Sequence, residues 1–205
     1  MQSMTPSTLK ATVKTHNVLD IPNAWLTAID TSHTDLGSYS FAQVPVSYEA
    51  FYGEWASKYA ASGSTRYEHS SHTVYYGGDN TGRNIPTTGT ATYAIRAMNG
   101  YNQASPNVLD GNLTVNFATA KLNGTLSNGS GSTKSITFNN VGINLSTGAF
   151  STTMGGTVTG TKQNNSSISG GSAQGHLFGH NGATATGSLA GIVKFTENVK
   201  YDAAL

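Results

Sequence analysis

The clearest indication of the fold class is the segment Leu113-Thr114-Val115-Asn116-Phe117, which is followed after a short turn by Lys121-Leu122-Asn123-Gly124-Thr125-Leu126. In the first of these segments the apolar residues occupy every second position, and Ile136-Thr137-Phe138 follows the same rule. A period of two is the pattern of a strand with one buried and one exposed face. Turn dipeptides such as Asn128-Gly129 and Gly155-Gly156 separate the β-rich segments, so the pattern predicts antiparallel strands joined by tight turns.

Eight such segments occupy the chain from about Gly89 onward. We predict strands at Thr90 to Met98, Asn112 to Ala118, Lys121 to Leu126, Ser135 to Val141, Ala149 to Thr153, Gly156 to Gly160, Ser172 to Phe178 and Ala183 to Thr196. Short connections favour an up-and-down order, and about eight strands is the number at which a sheet closes around its own side chains. The sequence therefore predicts a mainly β protein with an eight-stranded antiparallel barrel.

Composition excludes several classes of function. The 205 residues include 11 Lys and Arg against 10 Asp and Glu, scattered singly, so nucleic acid is not an expected partner. The chain has no cysteine, which removes disulfides, thiol nucleophiles and cysteine-bound zinc. The sequence contains no apolar run of about 18 residues, so no membrane-spanning helix is predicted. No nucleophile elbow, phosphate loop or His-Glu-x-x-His motif is present, so we do not expect an enzyme.

The first 85 residues differ from the rest. They hold both Trp residues, most of the Tyr residues and four of the six His residues. Pro22 near the start of Ala24 to Ile29 predicts a short helix, and the spacing of Phe51, Trp55 and Tyr59 predicts a second helix from Tyr48 to Ala60. We therefore predict an α+β clamp over residues 1–85 and the barrel over residues 86–205.

The last part of the barrel carries a recognisable pattern. The stretch Gly175-His176-Leu177-Phe178-Gly179-His180-Asn181-Gly182-Ala183, followed by Gly187, resembles the final hairpin of the transferrin-binding-protein-B-like barrels. Their motif runs Gly-x-Phe-Tyr-Gly-Pro-x-Ala, and His180 stands where proline is usual. Tyr75-Tyr76-Gly77-Gly78 and Pro86-Thr87-Thr88-Gly89 are similar to the segments that lead into the same barrel. The resemblance covers about residues 74–196.

In size and layout the chain is most similar to the hemophilin group of secreted hemophores. That resemblance implies a bacterial carrier that holds haem b, iron protoporphyrin IX, between a small clamp and the rim of one barrel. It also implies export by an outer-membrane translocator (Slam-dependent export), removal of a signal peptide, an extracellular location, and delivery to an outer-membrane TonB-dependent haem receptor. Haemoglobin is the implied haem source, and no membrane insertion is implied.

Haem needs an axial ligand, an apolar slot and polar groups for its propionates. Because cysteine is absent and methionine is scarce, histidine is the leading ligand. His72 is preferred because Tyr75 and Tyr76 follow it, His69 is its alternate, and His33 in a turn-rich loop is the expected second ligand. A surface or loop position is the competing interpretation for each of these histidines.

The remaining candidates come from the same region. Arg66 and Arg83 flank the histidine cluster and suit carboxylates as propionate partners. The predicted apolar wall consists of Phe41, Val44, Val46, Tyr48, Phe51 and Tyr75. These six residues also suit a small core between clamp and barrel. A binder of a host protein, such as a serum iron or immune protein, and a structural barrel without a small ligand are the alternative functions.

Overall fold

The computed structural model describes part of the N-terminal region and most of the rest of the chain. The described residues are 12–14, 18–21, 38–43, 50–56, 58–61, 64–67, 72–78, 84–100, 108–179 and 187–205. Within these ranges every regular element is a strand except for two short 3-10 helices, Thr152–Met154 and Val199–Tyr201. The described part of the chain is therefore almost entirely β.

Seventeen strands are present in the described residues. Seven belong to the N-terminal region: β1 (Thr12–Lys14), β2 (Val18–Ile21), β3 (Ser38–Gln43), β4 (Ala50–Ala56), β5 (Lys58–Ala61), β6 (Ser64–Tyr67) and β7 (Thr73–Gly78). Ten follow: β8 (Thr90–Met98), β9 (Val108–Asn116), β10 (Lys121–Ser127), β11 (Thr133–Ile143), β12 (Ala149–Ser151), β13 (Thr157–Lys162), β14 (Ser167–Ile168), β15 (Gly171–Phe178), β16 (Ser188–Phe195) and β17 (Ala203–Ala204).

The second group closes into an eight-stranded antiparallel barrel. Its ring of pairings runs β8, β9, β10, β11, β12, β15, β16 and β17 and returns to β8. Strands β12 and β13 pair with successive parts of β11, so they act as one strand interrupted by the 3-10 helix Thr152–Met154. Strand β14 forms a hairpin with β13. The up-and-down order is as predicted from the short connections.

The alternating pattern fills the barrel. Leu113, Val115, Phe117, Ile136 and Phe138 are at most 2% exposed, whereas Thr114 and Asn116 between them are more accessible. One continuous cluster of buried side chains includes these residues together with Leu122, Leu126, Phe150 and Leu177. The interior is a packed core, as the number of strands implies.

The N-terminal strands form a second sheet beside the barrel. Its order is β1-β2-β3-β4-β7, and β5 and β6 form a separate hairpin. Tyr52 of β4 and Val74 of β7 pack against the outer wall of the barrel, where they contact Met98, Ile192 and Ala204. Ala50 joins Phe178 and Ala190 in a neighbouring cluster. One face of β4 and β7 is thus covered by the barrel.

The helix predicted from Tyr48 to Ala60 is wrong. Residues 50–56 and 58–61 are strands, and the described residues contain no α-helix, so the α+β description of the clamp is corrected to β there. A spacing of four fits both periods, because it is close to one helical turn and is also twice the period of a strand. The predicted helix at 24–29 lies outside the described residues.

The end of the barrel also differs from the prediction. The ring contains β17, which was not predicted, and β12 and β13 count as one position in it. The last long strand is Ser188–Phe195 rather than Ala183 to Thr196. Two residues give too little alternation for a sequence pattern, so β17 is recognisable only from its pairings. Within the described residues, no helix is long and apolar enough to cross a membrane.

Candidate functional site

The face of the N-terminal sheet that points away from the barrel is called the outer face here. Strand register defines it through three rows of paired residues across β3, β4 and β7. The rows are Tyr39, Trp55 and Thr73; Phe41, Gly53 and Tyr75; and Gln43, Phe51 and Gly77. Paired residues share a face, and of the side chains that the structure describes on this face two are aromatic, Phe51 and Tyr75, beside the glycines at 53 and 77.

Three of the six predicted wall residues occupy the outer face. Phe41 and Tyr75 are in the middle row, and Phe51 is in the next row. Phe51 packs over Gly77, because a Cβ atom added to that glycine would lie 2.5 Å from Cζ of the ring. Phe51 and Tyr75 are both partly accessible. The remaining wall residues, Val44, Val46 and Tyr48, lie outside the described residues.

The inner face of β4 and β7 packs on the barrel. Ala50, Tyr52, Glu54 and Val74 are at most 7% exposed, and the hydroxyl of Tyr52 donates a hydrogen bond to the carbonyl of Arg96. Burial raises the pKa of Tyr52 above its ordinary value, so the phenol stays protonated. A ligand of the N-terminal sheet therefore has the outer face or its edges available.

His72 is held between the two parts of the molecule. Its Nε2 lies 2.7 Å from Oε2 of Glu54, its Nδ1 lies 2.8 Å from the carbonyl oxygen of Val199, and the residue is 5% exposed. The backbone N–H of Gly100 also donates to Oε2 of Glu54, at 2.7 Å. Both ring nitrogens are occupied, so coordination of iron by His72 requires the loss of one of these two bonds.

The partners of His72 define its protons. The Val199 carbonyl only accepts, so Nδ1 carries hydrogen, and Oε2 of Glu54 accepts from the backbone N–H of Gly100. Burial alone lowers the pKa of His72, but the hydrogen bond and charge of Glu54, the Val199 carbonyl and the charge of Asp202 outweigh it and raise that pKa. The geometry thus supports an imidazolium paired with a carboxylate.

The other predicted ligands and propionate partners are less constrained. His33, His69 and Arg83 lie outside the described residues and stay predictions. Arg66 lies on β6, where its backbone pairs with Tyr59 of β5. His33 falls in the connection between β2 and β3, five residues before Ser38, where the outer-face strand β3 begins. That connection joins two neighbouring strands of the sheet.

A second histidine lies where the sheet meets the barrel. Nδ1 of His176 on β15 lies 3.4 Å from the hydroxyl of Tyr76 on β7, and the two rings stack with centroids 6.2 Å apart. The described residues contain no group of three His, Asp or Glu side chains arranged to hold a metal ion. His176 therefore contributes to the contact between β15 and β7.

Two family models match the chain in succession. The HphA N-terminal heme-binding domain matches residues 3–67, and the HphA C-terminal domain matches residues 83–205. The chain belongs to the HphA family. It is a haem-binding protein, and its barrel is the C-terminal domain of that family. In this HphA-family chain, the matched haem-binding domain contains β1 to β6 and His33, whereas His69 and His72 lie between the two matched regions.

Solved structures of HpuA from Kingella denitrificans share the fold. The apo haemoglobin receptor is 21% identical, with a TM-score of 0.52 over 82% of this chain and 60% of that chain. HpuA in complex with human haemoglobin is 23% identical, with a TM-score of 0.49 over 76% of this chain and 53% of that chain. The HphA-family chain thus spans little more than half the length of these HpuA chains.

The outer face has the composition that haem requires of one wall. Porphyrin sites are lined mainly by apolar and aromatic side chains with few polar groups, and the rows of the outer face supply aromatic residues at Phe51 and Tyr75. Glycines at 53 and 77 lie among them. The described residues of this HphA-family chain therefore fit a flat aromatic ligand.

Sequence reasoning missed Glu54. It was an isolated acid without a partner in the sequence, whereas the structure gives it a buried bond to His72. Ala50, Tyr52 and Glu54 occupy alternate positions in β4, so reading this stretch with a period of two places Glu54 on the buried face. A carboxylate on the buried face of a strand needs a partner, and that is the signal for a structural pair.

Proposed function

We propose that the chain is a secreted hemophore. In this proposal it takes haem b from haemoglobin, carries it outside the cell and delivers it to an outer-membrane TonB-dependent haem receptor. Export through an outer-membrane translocator belongs to the same proposal. The match of residues 3–67 to a haem-binding domain supports the cargo, and the similarity in fold to a haemoglobin receptor makes haemoglobin the source to test first.

The proposed haem position is against the outer face. The observation that carries it is the register of β4 and β7, which puts Phe51 and Tyr75 on one face while Tyr52 and Val74 on the other face are buried on the barrel. Phe41 of β3 pairs with Gly53 in the same register. Because a ligand cannot enter the buried side without separating the two parts, the partly accessible residues Phe51 and Tyr75 mark the wall that a ligand can reach. Arg66 and Arg83 are the proposed partners of the propionates.

The proposed axial ligand is His33, with His69 as the alternate second ligand. His33 lies within the matched haem-binding domain, in the connection that leads into β3. Five residues of extended chain span up to about 17 Å, which is enough for the ring to reach a ligand on the outer face. His72 is omitted from this proposal because both of its ring nitrogens are hydrogen-bonded.

Haemin titration of the His33→Ala variant tests the ligand. Groups that only hydrogen-bond to a metal ligand already contribute about 10–100-fold to metal affinity. Loss of a direct ligand is therefore expected to weaken haem binding by about 100-fold or more and to move the Soret band. His16→Ala, another histidine of the same matched domain, is the control and should leave both unchanged. Wild-type affinity and an unmoved Soret band in His33→Ala would rule out this ligand.

A further inference from the structure

The strongest unassigned feature is the buried pair of Glu54 and His72 where the N-terminal sheet meets the barrel. Glu54 lies on β4, and His72 directly precedes β7. Their barrel partners, Gly100 and Val199, come from the segment after β8 and from the 3-10 helix Val199–Tyr201. Two strands of the sheet are therefore tied to two separate parts of the barrel through one carboxylate and one imidazole.

The barrel side of this connection is itself fixed. Four consecutive carbonyls of residues 199–202 each accept a hydrogen bond from a side chain: Val199 from His72, Lys200 and Asp202 from Asn99, and Tyr201 from Thr133. The carboxylate of Asp202 accepts from the backbone N–H of Phe195 on β16. The Val199 carbonyl is thus a defined anchor for the histidine.

The rest of the contact between sheet and barrel is mainly apolar. Tyr52, Val74, Met98, Ile192 and Ala204 form its larger cluster, and such packing has little directional preference. A buried charged pair, in contrast, is strongly destabilised when one partner moves away, because the other charge is left unpaired. The pair therefore selects one register of β4 and β7 on the barrel among those that the apolar contact permits.

That register also places the outer face. Glu54 pairs with Val74 on the inner face, and the adjacent pair, Gly53 with Tyr75, lies in the middle row of the outer face. A shift of one residue in either strand exchanges the two faces. The contacts that hold Glu54 and His72, with Gly100 and Val199, consequently also determine where Phe51 and Tyr75 lie.

We propose that Glu54 and His72 are positioning residues for haem binding: they hold β4 and β7 on the barrel and thereby place the outer-face wall, without contacting iron. This inference rests on the proposed position of haem. It assigns His72 a role through other residues, in contrast to its sequence-based interpretation as an axial ligand.

The test compares His72→Ala, His72→Asn and His72→Gln in the full chain. Haemin titration gives the Soret maximum of each variant. Transfer of haem to an excess of competing apo-globin gives the rate of haem dissociation. Hydrogen exchange of the haem-free protein gives the protection of the amides in β4. We expect a wild-type Soret maximum, haem dissociation about tenfold faster in His72→Ala, and amide exchange in β4 about tenfold faster, since local protection follows local stability.

The other variants separate positioning from general damage. Asn has a donor near the position of Nδ1 and Gln has one near Nε2, so each should recover part of the wild-type dissociation rate by keeping one of the two bonds. Glu54→Gln, which removes the charge of the buried pair, should also speed dissociation. Its matched control is Glu197→Gln in the more exposed pair with Lys162, which should behave as wild type.

Two sets of results for the His72 and Glu54 variants would overturn the proposal. A Soret maximum that moves in every His72 variant but not in Glu54→Gln would identify His72 as an iron ligand and overturn the proposal. Wild-type dissociation rates in His72→Ala and Glu54→Gln would overturn it as well. If the wild-type chain takes up no haemin, the proposed function fails; exchange in β4, with β9 and β10 as the reference for intact barrel, then decides separately whether the pair holds the sheet.

Discussion

Replacement of Gly175 by valine is expected to unfold the barrel or to destabilise it by at least about 3 kcal/mol, at the upper end of overpacking effects. A Cβ atom at this position lies 2.1 Å from Cζ of Phe150 and 2.4 Å from the carbonyl oxygen of Ala190. The first contact is with a ring that is 1% exposed in the core, and the second is with backbone. Because one neighbour is a buried ring and the other is backbone, we expect the strand pair β15 and β16 to separate.

Urea unfolding followed by far-ultraviolet circular dichroism measures this effect. Gln174→Val is the control, because residue 174 is the exposed neighbour on the same strand and β-branched residues suit strands. Gly191, which pairs with Gly175 across the two strands, is crowded by the same Phe150 ring and should respond in the same way. An unfolding midpoint of Gly175→Val equal to that of wild type would contradict the close packing of Gly175 against Phe150 and Ala190.

Asn99→Asp is expected to destabilise the protein by roughly 3–5 kcal/mol, since each buried polar group left without its partner costs about 1–3 kcal/mol. Asn99 is 1% exposed, its Nδ2 donates to the carbonyls of Lys200 and Asp202, and its Oδ1 accepts from the N–H of Thr133. Aspartate keeps the last bond but places a second acceptor against two carbonyls. The turn that leads into the closing strand β17 then loses its support.

Asn116→Asp is the matched control for this substitution. The side-chain oxygen of Asn116 accepts from the N–H of Thr119 at the surface, and a carboxylate oxygen accepts equally well. Chemical denaturation should therefore separate the two variants clearly, with Asn116→Asp close to wild type. Equal, small changes in both variants would show that the Asn99 contacts do not hold the C-terminal turn.

Much of the barrel was predictable from sequence because its physics is local. The alternation of Leu113, Val115 and Phe117 indicates burial on one face, and all three side chains are buried. The strand Thr90–Met98 has the bounds that were predicted for it. The closing strand β17 was not predictable, because two residues carry no period and its place depends on pairings with β8 and β16. Closure is a tertiary property that only the contacts show.

The N-terminal region shows where periodicity fails. Phe51 and Trp55 are four residues apart. This spacing predicted a helix, but it is equally compatible with a strand because it is twice the strand period. The composition of this region did indicate an aromatic wall, and register brings Phe41, Phe51 and Tyr75 to one face of a sheet. The sequence offered no means of distinguishing a ligand histidine from a buried structural one at His72, because its bonds to Glu54 and Val199 join distant parts of the chain.

Haem is proposed to lie against the outer face, and paramagnetic broadening of backbone amide signals by ferric haem measures which strands lie beside it. The measurement compares spectra of the full chain before and after addition of haemin. We predict that signals of β3, β4 and β7 are broadened most, while those of β10 and β11 on the barrel remain sharp. Broadening confined to β10 and β11, with sharp signals from β4 and β7, would contradict the proposed position of haem on the outer face.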